Sequence, residues 1–517
     1  MKKLVSFILA LLMLFSFTAC QNGGGNSAVG KRDFEIGDTG GLKVPFGNGE
    51  EIEVMCIDDV GATNTYIFDK LSQITGLNVK PLLIPKASSS QKTSTIIASG
   101  ELPDVFYNNS HAKINKYAME GAFEPINPHL DELPNISRYF GEDGKYPWFK
   151  KSYAASDGNF YFLPQVESDR LVNHGMLYRK DVFDKHGIKM WNSPETFYQA
   201  LKKLKELYPD SYPLTSKTGT QIIKNYAVAW GGIKSFDVYF DETSKVWKYS
   251  DTDPKTKEIL DFLHKLYDEK LLDPEFLTNT QSAWTQRMTT GKSFVTYDWI
   301  GRLDMFMQQS EIDGYDLRYA NPIGPKQTLV TLPQVDSFGL CIAKGKNSLL
   351  AMKLVDFLYS DAGAELMTIG VRGETFEFDK DGKIVYLDTE LAAKDKVEIT
   401  DLSSKYCMWM AGSYTRVDHN SSYFQYTERE QEAQDWVEKC GGLEPADPVV
   451  TFADENSTKV NDLKTKLSKK FEEVMFKYVV GQDTGDKAWE NWLKEAKKLG
   501  EDELVKFYND RHKELGL

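Results

Sequence analysis

The chain has 517 residues, of which 41% are hydrophobic, 27% charged and 13% aromatic. That is the composition of a folded protein with two or three domain-sized units, and it excludes disordered, collagen-like and coiled-coil architectures. With 62 Lys and Arg against 76 Asp and Glu the formal net charge is −14, which argues against nucleic acid or anionic lipid as partners, because both need a basic face.

The first element is a leader. Met1-Lys2-Lys3 is positive, and Leu4 to Phe17 is an apolar run of 14 residues. As a helix it spans about 21 Å, short of the roughly 30 Å hydrocarbon core, so it reads as a secretory signal and not as a membrane span. The run ends in Phe17-Thr18-Ala19-Cys20, which resembles the lipobox of bacterial lipoproteins and implies cleavage before a lipidated Cys20. Gln21 to Arg32 is rich in Gly, Ser and Asn and reads as a tether, residues 20–49 in all preceding the fold. Of the other cysteines, Cys56 and Cys341 sit in apolar strand-like runs, and nothing in the sequence demands a Cys407–Cys440 bridge.

From Glu51 the pattern is strand (51–57), helix (63–75), strand (77–84), helix (88–99) and strand (103–107), with Gly76 and Gly100 as helix stops. Alternation of this kind predicts a parallel α/β sheet with right-handed crossovers, and such sheets place ligands outside the carboxyl ends of their strands. The residues at those ends are Asp58, Asp59, Asn64, Lys86, Tyr107, Asn108 and Asn109. A helix is expected around 111–119. Ser156-Asp157-Gly158-Asn159 reads as a hairpin turn before a strand at 160–164.

Further strands are expected at 171–178, 294–299 and 336–343, and helices at 196–208, 254–270, 281–290, 348–359, 427–439, 456–479 and 487–498. Asp379-Lys380-Asp381-Gly382 fits the turn of a hairpin over 376–387. It lacks the Glu at the twelfth position that a calcium loop needs. The seven His include no HxxH or HxxxH pair, so neither a metal nor another cofactor is expected.

Ten stretches then carry a family resemblance over nearly the whole chain after the leader. Besides the lipobox they are IIASGELPDVF (96–106), GAFEPINPHLDELPNI (121–136), DGNFYFLP (157–164), LYRKDVFDKHGI (177–188), EKLLDPEFL (269–277), GKSFVTYDW (291–299), NPIGPK (321–326), SFGLCIAKGKN (337–347) and GVRGETFEF (370–378). The chain resembles the bacterial extracellular solute-binding lipoproteins of ABC importers, in the large family that includes oligosaccharide-binding proteins. The helices of 479–500 point to the subgroup with a long C-terminal helical tail.

The resemblance implies a two-lobed α/β fold with a hinge, residues 50–165 and 293–345 forming one lobe and 166–292 and 346–517 the other. It implies a monomer on the outer face of the cytoplasmic membrane of a bacterium of Gram-positive type. The ligand would be an oligosaccharide and the partners a permease and a separate ATPase, since no GxxxxGK[ST] occurs in the chain.

Sugar sites combine aromatic platforms with polar side chains. Trp299, where the family's sugar binders often stack a ring, is therefore a candidate with Asp298. Trp230, flanked by Gly231 and Gly232, Tyr406 and Trp409 in a segment without clear periodicity, and Arg372 between two glycines complete the set. A peptide ligand and an exported enzyme are the alternatives. For the enzyme, Ser89-Ser90-Gln91-Lys92 satisfies SxxK and Lys217-Thr218-Gly219 satisfies KTG, but the intervening SDN is missing. For a glycoside hydrolase, sequence spacing says nothing of carboxylate separation in space.

Overall fold

In the computed structural model, residues 32–517 are described except 109–110, 168–169, 218–228, 231–232, 235–236, 395, 441 and 453. The leader, Cys20, most of the tether, Asn109, Thr218-Gly219 and Gly231-Gly232 lie outside the described residues.

Glu51–Asp58 opens with alternating Glu and apolar residues, so Ile52 and Val54 turn inward while Glu51 and Glu53 face water. It pairs in parallel with Asn78–Pro85 on one side and Val105–Asn108 on the other. Helix Tyr66–Thr75 crosses between the first two and buries Ile67, Phe68, Leu71 and Ile74 against them. The sheet then departs from the expected all-parallel form. Val335–Ile342 lies antiparallel to Val105–Asn108, and Leu163–Val166 completes the five strands on its far side.

A second sheet is wholly antiparallel: His174–Arg179 runs between Val295–Trp299 and Leu317–Ala320. Helices Pro194–Leu207 and Pro254–Asp268 pack on it. The first starts at Ser193, whose hydroxyl accepts from the Thr196 amide at 3.2 Å, with Pro194 preset for the first turn. The C-terminal helices Asp454–Val479, Gly485–Leu499 and Glu501–Leu515 add Leu467, Tyr478 and Trp492 to the same core, and the Trp492 indole donates to Asp251 O at 2.7 Å.

The two cores divide the chain differently from the expected boundaries. Residues 295–320 pair with 174–179 and belong to the second sheet, and 351–417 bury Val355, Met367, Met408 and Val417 in the first core. Of the described residues in the C-terminal third, Val450, Phe452 and 460–508 join the second core. An apolar strand read from sequence declares no partner; cross-strand packing selects it. Among the described residues the chain passes between the cores at 170–173, 324–334 and 418–432.

Within the first core, Asp356 accepts from the Asn135 side chain at 2.9 Å and the Ile136 amide at 2.8 Å, so it caps the short helix Pro134–Phe140. Burial pushes its carboxyl up to about 6, despite those donors. A raised acid contributes stability that is full below its unfolded value, near 3.9, and is lost as pH rises through about 6. The loss amounts to about 3 kcal/mol for this fully buried group. Melting curves from pH 4 to 7 should show that fall, and Asp356→Asn should reduce it.

Candidate functional site

The carboxyl ends of strands 51–58 and 105–108 are covered by the segment Cys407–Val417. The Ile57 amide donates to Ala411 O at 2.8 Å and the Val166 amide to Thr415 O at 2.8 Å, so the segment is laced to the sheet at two points. Cys407 and Trp409 hold φ values of 61° and 60°. Left-handed backbone at non-glycine residues is strained and concentrates at ligand-binding segments.

Most of the polar residues expected here serve the loops that carry them. Asp58 accepts from the amides of Val60, Gly61 and Ala62 at 2.9, 2.8 and 3.0 Å, closing its own turn. Asp59 is exposed and paired with Lys86 at 3.4 Å. Asn64 donates to Lys405 O at 2.9 Å and accepts from the Tyr66 amide at 3.1 Å, tying a helix start to the covering segment. Asn108 is buried at its strand end. Tyr107 is half-buried, its ring 6.3 Å from Phe338.

Tyr406 is the last residue of helix Ile399–Tyr406, not part of a loop, and stacks at a tilt on Tyr66 at 5.4 Å. Trp409 is buried; its indole donates to Thr368 O at 2.9 Å, and its ring meets Tyr414 at 5.4 Å and Tyr423 at 6.1 Å. Its place is to anchor the segment that presents Tyr414.

Two expected residues fall elsewhere. Trp230 belongs to the second core, packed 5.4 Å from Phe262 with its indole donating to Glu258 at 3.4 Å. Arg372 is committed to Glu365 at 2.9 Å and lies 4.8 Å over Phe378. Asp379 accepts from the amides of Asp381 and Lys383, as a hairpin turn requires. Among the described residues no group of three or more His, Cys, Asp or Glu is arranged to hold a metal ion. Cys407 and Cys440 are both free thiols.

Trp299 behaves otherwise. The residue is 51% exposed, the highest value among the described large exposed hydrophobic residues, while Trp191, Trp284 and Trp492 are fully buried. Exposure does not mean looseness. The Asp298 carboxylate accepts from the Trp299 amide at 2.8 Å and from Arg302 Nε at 3.1 Å, with Lys217 3.7 Å away. The Arg302 guanidinium sits 5.8 Å from the Trp299 ring centre, and His174 meets the ring edge-on at 5.6 Å. Burial lowers the His174 imidazole to about 4, so it is neutral at pH 7 and packs as an uncharged ring.

Arg170, on the first passage between the cores, links the two groups. Its guanidinium lies 3.8 Å over Tyr423 and 5.0 Å over Tyr426, donates to Tyr423 O, and reaches Asn173 Oδ1 at 3.2 Å. Asn173 O in turn accepts from the Ile300 amide, one residue past Trp299. A cavity of about 240 Å³ opens beside Arg170, lined by Lys145, Glu167, Leu171 and Gln334.

Sequence reasoning did not single out Arg170, Tyr414, Tyr423 or Asp336, which the fold brings to this end of the first sheet. Asp336 is the second residue of strand 335–342, inside the register break between Val335 and Gly339 against 163–166 and beyond the Gly339–Asn108 pair. An acid at the mouth of an apolar strand was its only sequence signal.

The family model described as bacterial extracellular solute-binding protein matches residues 67–373. Lipoprotein LipO of Bacillus subtilis (strain 168) is 23% identical over 477 residues, covering 85% of this chain and 87% of that protein. Among solved structures, alginate-binding protein AlgQ2 without calcium ion superposes with a TM-score of 0.73 at 22% identity, over 90% of this chain and 98% of that one. The S. pneumoniae ABC-transporter substrate-binding protein FusA in complex with kestose gives 0.71 at 18%, over 90% and 99%. An extracellular solute-binding protein from Bifidobacterium longum subsp. infantis gives 0.70 at 16%, over 90% and 98%. The fold is thus the two-lobed α/β fold of substrate-binding proteins. No helix among the described residues is long and apolar enough to cross a membrane.

Proposed function

Because the chain belongs to the bacterial extracellular solute-binding protein family, we propose that it captures an oligosaccharide between two lobes and delivers it to an ABC permease. The family and its structural neighbours are binding proteins rather than enzymes, and the reading assigns this chain no catalytic step. The observation that carries it is Trp299: a half-exposed indole at the end of a strand, flanked by His174 and Arg302, which offers an apolar face to the C–H side of a sugar ring. The alginate named for one neighbour and the kestose bound to another support a saccharide ligand.

In this reading Trp299 and the first lobe's Tyr107 and Tyr414 close on the ligand from opposite sides. A ligand that touches both lobes binds the closed state better and shifts the equilibrium toward it. The permease then takes the closed form, and a separate ATPase supplies the energy. Cys20 would carry the lipid that holds a monomer on the outer face of the cytoplasmic membrane in a bacterium of Gram-positive type; the cysteine follows the leader's apolar run. The lobe boundaries that accompany this reading follow the two cores: 32–166 and 335–417 in one lobe, 174–323 and 454–515 in the other.

A thermal-shift panel of neutral and uronic-acid oligosaccharides, with short peptides as controls, tests the reading. Ligand at 100 times its Kd adds about 2.7 kcal/mol of stability, and the sugar should be recovered intact. A flat glycan panel, a shift with peptide alone, or recovery of cleaved sugar would overturn it.

A further inference from the structure

We propose that the Trp299 platform takes a carboxylate-bearing sugar, that Lys217 and Arg302 bind its carboxylate, and that the protein thereby selects acidic oligosaccharides over neutral ones. The inference rests on the saccharide-binding reading above and names the ligand class within it.

Lys217 reaches this place through a pairing between distant segments. Leu214 bridges in parallel to Val295, the Thr215 amide donates to Val295 O at 3.1 Å, and the Thr296 hydroxyl donates to Thr215 O at 3.0 Å. Segments 214–217 and 295–299 therefore end together, with Lys217 beside Asp298 and Trp299. Parallel neighbours place ligands outside their shared carboxyl ends. Arg302 arrives from the first turn of helix Arg302–Gln309. Both cations rest on the buried Trp284, 5.5 and 6.0 Å from its ring centre.

Two cations thus face one carboxylate. Asp298 accepts from Arg302 Nε at 3.1 Å, whereas Lys217 Nζ stands 3.7 Å away, too far for a hydrogen bond. Arg302 Nη1 meets only the Met305 sulfur at 2.8 Å, a weak acceptor. Among the described residues no acceptor meets Arg302 Nη2 or the Lys217 ammonium. The neighbouring acids have cations of their own: Glu430, beside Gly301, pairs with Lys396 at 2.7 Å, and Asp304 with Arg429 at 3.6 Å. His174, neutral at pH 7, adds no charge. One positive charge is left over beside the exposed indole.

That charge stands where a stacked sugar presents its acid. A pyranose lies on an indole by its C–H face, and a carboxylate on the ring projects from the ring's edge. The Arg302 guanidinium is 5.8 Å from the centre of the Trp299 ring. A guanidinium meets a carboxylate with paired N–H donors, and an ammonium adds a compact charge. The Lys217 and Arg302 side chains are 24% and 19% exposed, sheltered from full solvent screening yet open to a ligand. A neutral sugar leaves these donors to water.

Isothermal titration on the purified protein tests this. The probes are alginate and galacturonate trisaccharides, sialyllactose, the same sugars with their carboxylates reduced to alcohols, and kestose. Wild type should bind at least one acid about 10-fold or more tightly than its reduced partner, and sodium chloride should shrink that gap. Which acid binds distinguishes a hexuronate from a sialic acid as the source of the carboxylate. Lys217→Gln and Arg302→Gln should each narrow the gap by weakening the acid alone, and Lys217→Arg should preserve it. Lys217 makes no hydrogen bond to the protein, so Lys217→Gln should keep the wild-type melting point even if Arg302→Gln lowers it.

Reduced sugars or kestose bound as tightly as every acid, or an unchanged gap in both glutamine variants, overturns the inference. The saccharide reading then stands, provided Trp299→Ala still weakens binding. Absence of any glycan binding by wild type overturns both.

Discussion

Trp299→Ala should weaken oligosaccharide binding by about 30-fold or more, roughly the 2 kcal/mol lost when a central aromatic anchor is truncated, while leaving the melting point without ligand almost unchanged. Both halves follow from where the ring sits. Half of it faces solvent, so its removal opens no cavity and falls among surface substitutions worth about 0.5 kcal/mol or less. Its backbone amide stays bonded to Asp298, and Asp298 keeps Arg302 and Lys217, so the support under the ring survives its loss.

Trp299→Phe should recover part of the affinity, because a smaller apolar face remains. Isothermal titration beside a melting curve separates the two effects. Affinity equal to wild type would remove Trp299 from the site. Trp230→Ala provides the contrast: it empties a packed position against Phe262 in the second core and should cost about 3–5 kcal/mol of stability.

That contrast also marks how much the sequence could disclose. Local chemistry carried far. Ser193-Pro194 announces a helix that begins at Pro194, the Asp379-Gly382 string announces a turn that Asp379 does close, and the expected helix at 111–119 is observed as His111–Met119. The exposure of Trp299 was legible because it ends a short apolar strand, where a side chain can leave the core. Trp230, flanked by glycines on one side, sits under Gly324, whose Cα would carry any Cβ into the Trp230 backbone. No window of sequence reveals that crossing.

The sheet partners were illegible for a related reason. Val295–Trp299 and Val335–Ile342 are both apolar strands within one block of sequence, yet they lie in different sheets because their partners come from 174–179 and 105–108, far away in the chain. Asp336 and Arg170 become visible only when those pairings are made. Asp336 then lies beside Tyr107, and Arg170 lies over a tyrosine more than 250 residues downstream, at Tyr423.

The covering segment depends on one such crossing, and Gly412→Ala should expose it. Gly412 holds φ at +102°, and a Cβ there would lie 2.4 Å from Met55 O and 3.1 Å from Tyr107 Cβ. The obstacle at 2.4 Å is the backbone of a central strand, which cannot swing aside as a side-chain tip does. The segment must lift instead. Lifting strains the Ile57–Ala411 and Val166–Thr415 hydrogen bonds and shifts Tyr414 away from Tyr107 and Asp336. The expected cost is about 3 kcal/mol or more, from the unfavourable φ together with the lost contacts.

Gly373→Ala is the matched control: its φ is +80°, but nothing lies within 4 Å of the added Cβ, so only the backbone strain of about 1 kcal/mol remains. Melting curves should therefore separate the two alanines by several degrees. Glycan affinity should fall for Gly412→Ala and hold for Gly373→Ala. Equal melting points would mean that the segment rests on the sheet without being pressed against it, and a stable Gly412→Ala with full affinity would place the ligand away from Tyr107 and Tyr414.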